Sequence, residues 1–257
     1  LEESRKNCSE VVLTGGEVTI RKDIFELVSY AKKLGFERIQ IQSNARMLSY
    51  KDFCVKLIEA GANEFAPAIH GHIPELHDYL TSAKGSFKQV VQAIKNLKEF
   101  NQYVITNTVV VKPNYKYLPE IAELLVSLKV DQYQFAFPHA VGNALTNFAQ
   151  MIPRVSLAAP YMHKGLQIGI DNGIKVMAEA MPYCVMEGYE NCVSEIYIPE
   201  GEVRDIDTVT LDWGEARKNH GKMKFQQCKK CKYDKVCEGS WKEYPERMGS
   251  EEFQPVI

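Results

Sequence analysis

Short apolar runs alternate with stretches of helical period along the first half of the chain. A run that favours a strand is followed each time by a stretch whose apolar residues recur every three or four positions, and glycine ends several of these stretches. The pattern predicts strands at 10–14, 38–42, 64–69, 104–111 and 132–137. It predicts helices at 23–34, at 50–60, from 86 onward with Ser86 as its cap, and at 118–128.

Repeated strand–helix units of this kind predict an α/β protein with a parallel sheet and right-handed crossovers. A doubly wound sheet and a barrel both fit, and in either the chemistry belongs at the carboxyl ends of the strands. The rhythm weakens after residue 145, where we predict a helix at 156–172, short strands at 174–178 and 193–198, and a loop-like tail from residue 228. We therefore expect two domains, 1–150 and 151–257.

The composition is that of a globular protein, with 45% hydrophobic and 25% charged residues among 257. A net charge of -2 gives no reason to expect nucleic acid or an anionic membrane as a partner. No apolar run is long enough to span a membrane, and the polar start of the sequence does not resemble a signal peptide. The odd number of cysteines, 7 in all, favours metal-bound thiolates in a reducing cytoplasm over a disulfide framework.

Gly15, Gly16 and Glu17 follow the first predicted strand, with Thr19 just downstream. Two glycines allow a ligand to approach the backbone, and the glutamate offers an acceptor to a cationic amine. An ordinary strand-to-helix turn with a surface glutamate explains the same residues equally well.

Polar or small groups also close the later strands. The pair after the second strand could bind hydroxyl groups or form an Asx turn, the histidine could be a neutral loop-edge ring, and the asparagine interrupts an apolar strand and needs partners if buried. These residues are Ser43 and Asn44, His70, Asn107, and finally Phe137 with Pro138.

In their order and spacing these segments resemble the radical S-adenosylmethionine (SAM) superfamily. The resemblance covers residues 8–144 and the cysteine tail. It implies that Gly15, Gly16, Glu17 and Thr19 form the motif that holds the SAM amino group. It also implies that Ser43 and Asn44 lie near the ribose and the substrate, and that His70, Asn107, Phe137 and Pro138 complete the cofactor site, the last two beside the adenine.

The sequence departs from that family at one point. The CxxxCxxC loop that holds the catalytic [4Fe–4S] cluster, and the first βα unit with it, are not among the 257 residues. We expect its ligands upstream of Leu1, so that the fold is a partial (β/α)₆ TIM-like barrel. The alternative is a degenerate homologue without radical chemistry.

Cys228, Cys231 and Cys237 form a CxxCxxxxxC set among lysines, a spacing that indicates a metal site. Cys184 is the preferred fourth ligand and Cys192 the alternative. Spacing alone does not separate zinc from an iron–sulfur cluster. The resemblance implies an auxiliary [4Fe–4S] cluster in a C-terminal domain of the SPASM or twitch type.

The resemblance further implies an oxidoreductase that cleaves SAM to a 5′-deoxyadenosyl radical, which then abstracts hydrogen from a substrate. We expect a peptide or protein substrate first and cofactor or small-molecule biosynthesis second, with a reducing electron donor such as a flavodoxin or ferredoxin. With four thiolate ligands, the auxiliary cluster would accept an electron and leave no iron open to substrate. A zinc-stabilised binding module on a decayed barrel is the non-enzymatic alternative.

Overall fold

The structure, a computed structural model, describes residues 1–198, 201–205 and 207–257. A six-stranded sheet has its strands in the order of the chain, which gives the topology of a partial (β/α) barrel. Its strands are β1 (Glu10–Leu13), β2 (Arg38–Ser43), β3 (Glu64–Pro67), β4 (Tyr103–Val109), β5 (Gln132–Ala136) and β6 (Lys175–Glu179). The predicted α/β class and parallel sheet are confirmed.

Two antiparallel pairs of short strands follow the sheet. In the first, β7 (Val203–Arg204) pairs with β8 (Val209–Thr210). In the second, β9 (Lys222–Met223) pairs with β10 (Ser240–Trp241). The helices are α1 (Glu2–Arg5), α2 (Ile24–Lys33), α3 (Lys51–Ala60), α4 (Pro74–Thr81), α5 (Ser86–Glu99), α6 (Leu118–Ser127), α7 (Asn143–Thr146), α8 (Phe148–Met151), α9 (Val155–Asp171), α10 (Trp213–Ala216) and α11 (Glu243–Met248).

The chain forms two compact units. Unit 1 comprises Leu1–Thr108, Glu120–Gln134 and Gly169–Lys175, and unit 2 comprises Val109–Pro119, Phe135–Ile168 and Val176–Ile257. All predicted SAM-site residues up to Asn107 belong to unit 1, whereas Phe137, Pro138 and the four predicted cysteine ligands belong to unit 2. The predicted boundary near residue 150 stays a prediction.

In unit 1 the two faces of the sheet differ in polarity. Ile39 and Ile41 of β2 are fully buried, as the strand alternation requires. The other face of β2 carries Arg38, Gln40 and Gln42, whose side chains bond across the sheet. Arg38 pairs with Glu10 at 3.0 Å and with Glu64 at 3.3 Å, Gln40 bonds Glu64, and Thr14 donates to Gln42 at 2.9 Å. This face is therefore polar rather than a packed apolar layer.

In unit 2 the backbone ladder of the sheet continues, and the last helix is fixed by hydrogen bonds. Val110 N donates to Ala136 O, and Phe137 N donates to Glu179 O, both at 2.9 Å. The Tyr244 hydroxyl of α11 is buried, accepts from Val155 N at 2.9 Å at the start of α9, and bonds Glu252. These bonds attach the C-terminal segment to a long helix of the same unit.

Three local predictions are wrong. Residues 193–198 form no strand: Ser194–Ile196 is a 3₁₀ turn, and Val193 makes only an isolated bridge to Ala178. Ser86 does not cap α5, because Gly85 at φ +87° holds that position and the Ser86 hydroxyl donates to Asp78 instead. The tail after Cys228 is not loop-like throughout, since it contains β10 and α11.

Candidate functional site

Glu17 connects the tips of two neighbouring strands in unit 1. Its Oε1 accepts hydrogen bonds from Thr19 N at 3.0 Å, Thr19 Oγ1 at 2.5 Å and Ser43 Oγ at 2.8 Å. Its Oε2 accepts from Asn44 N at 2.7 Å. The structure thus brings together Glu17, Thr19, Ser43 and Asn44, and the buried Thr19 serves to orient the carboxylate.

The backbone around this carboxylate is open on one side. Gly15 has φ +130°, and a Cβ on either Gly15 or Gly16 would meet no atom within 4 Å. Both glycines are exposed, so a ligand has access to their peptide groups. The glycine pair and the carboxylate together suit a ligand that offers a cationic amine.

The turn after β2 is the Asx turn that the sequence allowed. Asn44 Oδ1 accepts from Arg46 N at 3.0 Å, and Ser43 Oγ accepts from Ala45 N at 2.9 Å. Ala45 adopts the left-handed conformation at φ +64°. The turn fixes the backbone that donates to Glu17.

The tips of β2, β3 and β4 stand at the same level of the sheet. Ala68 N donates to Ser43 O at 3.0 Å, Ala68 bridges Asn107, and Ile69 N donates to Asn107 O at 3.1 Å. Asn107 Oδ1 is buried, and no described residue gives it a hydrogen-bond partner. A buried amide oxygen without a donor is costly, so this atom suits a ligand hydroxyl or amine.

His70 is tied to a second histidine rather than directed by the sheet alone. Its backbone N–H donates to Nδ1 of the buried His77 at 3.0 Å, and the two rings stack at 5.9 Å between centroids. Because Nδ1 accepts, a neutral His77 carries its proton on Nε2. Burial lowers the pKa of each histidine to about 4, so both rings are neutral near pH 7.

Phe137 and Pro138 lie at the end of β5, and both are buried in unit 2. The Phe137 ring meets Tyr244 edge-on at 5.5 Å between centroids. The adenine contact predicted for these residues stays a prediction.

The four cysteines singled out by the sequence line one cavity in unit 2. Cys184, Cys228, Cys231 and Cys237 share its wall with Phe225, Phe253 and other residues. Burial, reinforced by the other three cysteines, raises the pKa of Cys184 to about 12. Cys192 is buried but does not line this cavity, and only its burial raises the pKa of its thiol.

Backbone N–H groups surround these thiols. Phe225 N lies 3.4 Å from Cys228 Sγ, Gly239 N 3.4 Å from Cys237 Sγ, and Val256 N 3.4 Å from Cys231 Sγ. Such donors stabilise a sulfur that carries negative charge. The donor set therefore fits an iron–sulfur cluster held by four thiolates.

The spread of these side chains also bears on the type of metal group. Within residues 1–198, 201–205 and 207–257, no three His, Cys, Asp or Glu side chains stand close enough to hold one metal ion. The choice between zinc and an iron–sulfur cluster therefore stays a prediction.

Two features of this region have little or no signal in the sequence. The first is the pair of N–H donors at Phe225 and Val256, because backbone groups carry no residue-type signal. The second is a group of buried charged side chains that includes Glu238, the residue after Cys237, with Glu195, Arg217 and Lys222. Glu238 and Gly239 directly after a predicted ligand were the available signal for the second feature.

A parallel α/β sheet with polar groups gathered at its strand tips is the arrangement of a barrel enzyme. Residues 1–125 match the family described as the radical SAM superfamily. These residues therefore carry a radical SAM domain, as the sequence motifs predicted.

Two curated proteins and one solved structure illustrate the similarity. An AdoMet-dependent heme synthase of Oleidesulfovibrio alaskensis is 30% identical over 142 residues, which cover 55% of this chain and 36% of that protein. A PqqA peptide cyclase of Rhodopseudomonas palustris is 28% identical over 229 residues, which cover 84% of this chain and 60% of that protein. SuiB of Streptococcus suis, solved bound to S-adenosylmethionine, has a TM-score of 0.66 at 15% identity and covers 99% of this chain and 68% of its own.

The chain spans less than two thirds of the length of these curated relatives. None of the helices in the described residues has both the length and the apolar character needed to cross a bilayer.

Proposed function

We propose that this chain is the SAM-binding and substrate-modifying part of a radical SAM enzyme that carries an auxiliary [4Fe–4S] cluster. The observation that carries the proposal is the convergence of Cys184, Cys228, Cys231 and Cys237 on one cavity lined with N–H donors. A catalytic cluster with ligands upstream of Leu1 would, once reduced, cleave SAM to a 5′-deoxyadenosyl radical.

The residues of unit 1 would bind and orient SAM. Gly15 and Gly16 leave the backbone open to the methionine end, and Glu17 supplies negative charge beside it. Asn107 Oδ1 would take a hydrogen bond from the ligand, since none of the described residues donates to it. The neutral His70 and His77 rings add no positive charge to this region, which suits a ligand with a sulfonium centre.

A peptide is the substrate class we favour. The PqqA peptide cyclase, whose name states a peptide substrate, aligns with 84% of this chain, so the alignment extends well beyond unit 1's first strands. In unit 2 the auxiliary cluster would accept one electron from a substrate radical. Four thiolate ligands leave no open iron, so substrate would not bind to it directly.

The cluster is tested by iron and sulfide analysis of the full-length protein purified without oxygen. We expect Cys228→Ser to lose about four irons and four sulfides per chain relative to the unaltered protein. Cys192→Ser is the matched control, because this buried thiol lies outside the cavity. Zinc in the purified protein, or equal iron loss in both variants, contradicts the auxiliary cluster.

A second candidate substrate class is a small molecule of cofactor biosynthesis, favoured by the AdoMet-dependent heme synthase relative. The two classes separate by which probe stimulates formation of 5′-deoxyadenosine from SAM. We expect a library of synthetic peptides of about twenty residues to stimulate it and uroporphyrin to have no effect. Stimulation by the tetrapyrrole alone would reverse the order of the two candidates.

A further inference from the structure

Four charged side chains are buried together in unit 2, and one of them belongs to Glu238, the residue after the cavity-lining Cys237. The side chains of Lys222, Arg217, Glu238 and Glu195 are 1%, 4%, 4% and 6% exposed. Burying charges costs several kcal/mol per ion, and well-packed apolar residues often stabilise a fold as well or better. A gain in stability is therefore a weak explanation for this group of buried charges.

Glu238 lies at the centre of this group of charges. Arg217 holds the Glu238 carboxylate with two hydrogen bonds, Nε to Oε2 at 2.7 Å and Nη2 to Oε1 at 2.6 Å. Lys222 Nζ lies 3.1 Å from Glu238 Oε2 and also pairs with Glu195. Glu195 in turn accepts from Ala180 N at 2.8 Å, just after β6. The paired charges are fixed in position from several sides.

The backbone connects this centre directly to a cysteine of the cavity. Glu238 follows Cys237, and the next residue, Gly239, directs its N–H to Cys237 Sγ. A Cβ at Gly239 would lie 2.0 Å from Met223 O, so the chain passes β9 at the closest possible distance. Lys222, on β9, also lies over the Trp241 ring at 5.1 Å. Residues 237–239 are thereby held by the Glu238 side chain, by the Gly239 N–H and by the neighbouring strand β9.

We propose that Arg217 and Glu238 are positioning residues for the auxiliary cluster, which set its reduction potential through paired, water-excluded charges next in sequence to Cys237. The proposal rests on the auxiliary cluster proposed above. Fixed charges in a water-poor region act strongly on a neighbouring charge, because little solvent screens them. Removing the anion favours the added electron, and removing the cation disfavours it.

The test is a redox titration, monitored by electron paramagnetic resonance, of the full-length protein at one pH. Glu238→Gln should raise the potential of the auxiliary cluster and Arg217→Gln should lower it, with about four irons retained at that site. In the double variant Arg217→Met with Glu238→Met the reduction potential should lie close to that of the unaltered protein, because one charge of each sign has been removed. Glu202→Gln is the control, because Glu202 also pairs with an arginine of the same unit, Arg204, but that arginine is partly exposed.

Potentials that stay within the control's scatter, or that move in the same direction in both single variants, overturn the proposal. If a single variant does not fold, Arg217→Lys and the double variant decide: both must keep the unaltered potential, and a shift in either contradicts the charge argument. A protein that lacks the auxiliary irons before any substitution overturns the proposed function, and this inference with it.

Discussion

At the scale of the residue, the Glu17 carboxylate is the most heavily bonded polar group of the candidate SAM site. Four donors from Thr19, Ser43 and Asn44 point at its two oxygens. An amide at this position could accept only some of these hydrogen bonds, because one of its two polar atoms is itself a donor. The hydrogen bonds to Glu17 therefore fix the conformation of the site without a ligand.

Glu17→Gln should therefore destabilise the fold. An amide NH₂ would face a donor where an oxygen now accepts, which costs about 1–3 kcal/mol. We expect a decrease of that size in the free energy of unfolding by urea. Glu26→Gln, on the exposed side of α2, is the control and should leave the value within about 0.5 kcal/mol. Equal effects at the two positions would contradict the bonding described for Glu17.

Gly239 and Gly188 permit a matched comparison of two left-handed glycines. They have φ +87° and +81°, but a Cβ at Gly188 meets nothing within 4 Å, whereas one at Gly239 would meet the Met223 carbonyl. Gly188→Ala should cost only the conformational penalty of about 1–2 kcal/mol. Gly239→Ala should lower the melting temperature well beyond that, and similar losses at both sites would rule out the close approach.

At the scale of the element, the start of α5 depends on a side chain from α4. Asp78 accepts from Gly85 N at 2.5 Å, Phe87 N at 2.7 Å and Ser86 Oγ at 3.0 Å. The bonds to Phe87 N and Gly85 N lower the pKa of Asp78, so they are present above the ordinary carboxyl range and weaken as the pH falls through it. Asp78 thus performs the capping that Gly85, without a side chain, does not.

Asp78→Asn should fray the first turn of α5. The amide has one acceptor oxygen in place of two, so a helix-terminal N–H loses its partner. Hydrogen exchange measured by mass spectrometry should accelerate at residues 85–89. Asp52→Asn, in the first turn of α3 and exposed, should leave α3 exchange unchanged. Unaltered protection at residues 85–89 in Asp78→Asn would refute this role.

The His70–His77 pair should make stability depend on pH. Burial lowers the pKa of His77 from 6.5 to about 4, so the unfolded chain binds more protons between those values. The free energy of unfolding should therefore fall as the pH falls from about 6.5 to 4, by roughly 3 kcal/mol for His77. His77→Asn keeps an acceptor for His70 N–H and should remove the share of His77 from this dependence, while that of His70 remains. His220→Asn, at an exposed position, should keep the slope of the unaltered protein.

The sequence allowed β1 to β5 and the strand-tip residues to be predicted, because apolar period and turn residues are local signals. The same signals failed at 193–198. The apolar residues Val193, Ile196 and Ile198 suggested a strand there. The segment instead forms a 3₁₀ turn, in which the Glu195 carboxylate accepts hydrogen bonds from Ala180 N and Lys222 Nζ. Those contacts depend on segments distant in sequence. Cys184 could be selected from spacing and count, whereas its separation from Cys192 at the cavity required the folded chain.

At the scale of the whole molecule, the residues bonded around Glu17 and the cysteine cavity lie in different units. Glu17, Ser43, Asn44 and Asn107 are in unit 1, and all four cysteines that line the cavity are in unit 2. Cys228→Ser, which would remove only the proposed auxiliary cluster, should therefore raise hydrogen exchange at residues 225–239 and 253–256. Amides of β1 to β3 should keep their protection. An equal loss of protection in β2 would show that the metal group stabilises both units.

The N–H of Val256 lies against the sulfur of Cys231, and Lys232 N donates to Val256 O at 2.8 Å. During synthesis the Cys231 thiol would therefore leave the ribosome before the backbone group that bonds it. The cluster proposed for this cavity would then be loaded only after residue 256 has been made, when the N–H groups around the thiols are all present. A chain that ended before Val256 would have the same cysteines, but Cys231 Sγ would lack the hydrogen bond from Val256 N.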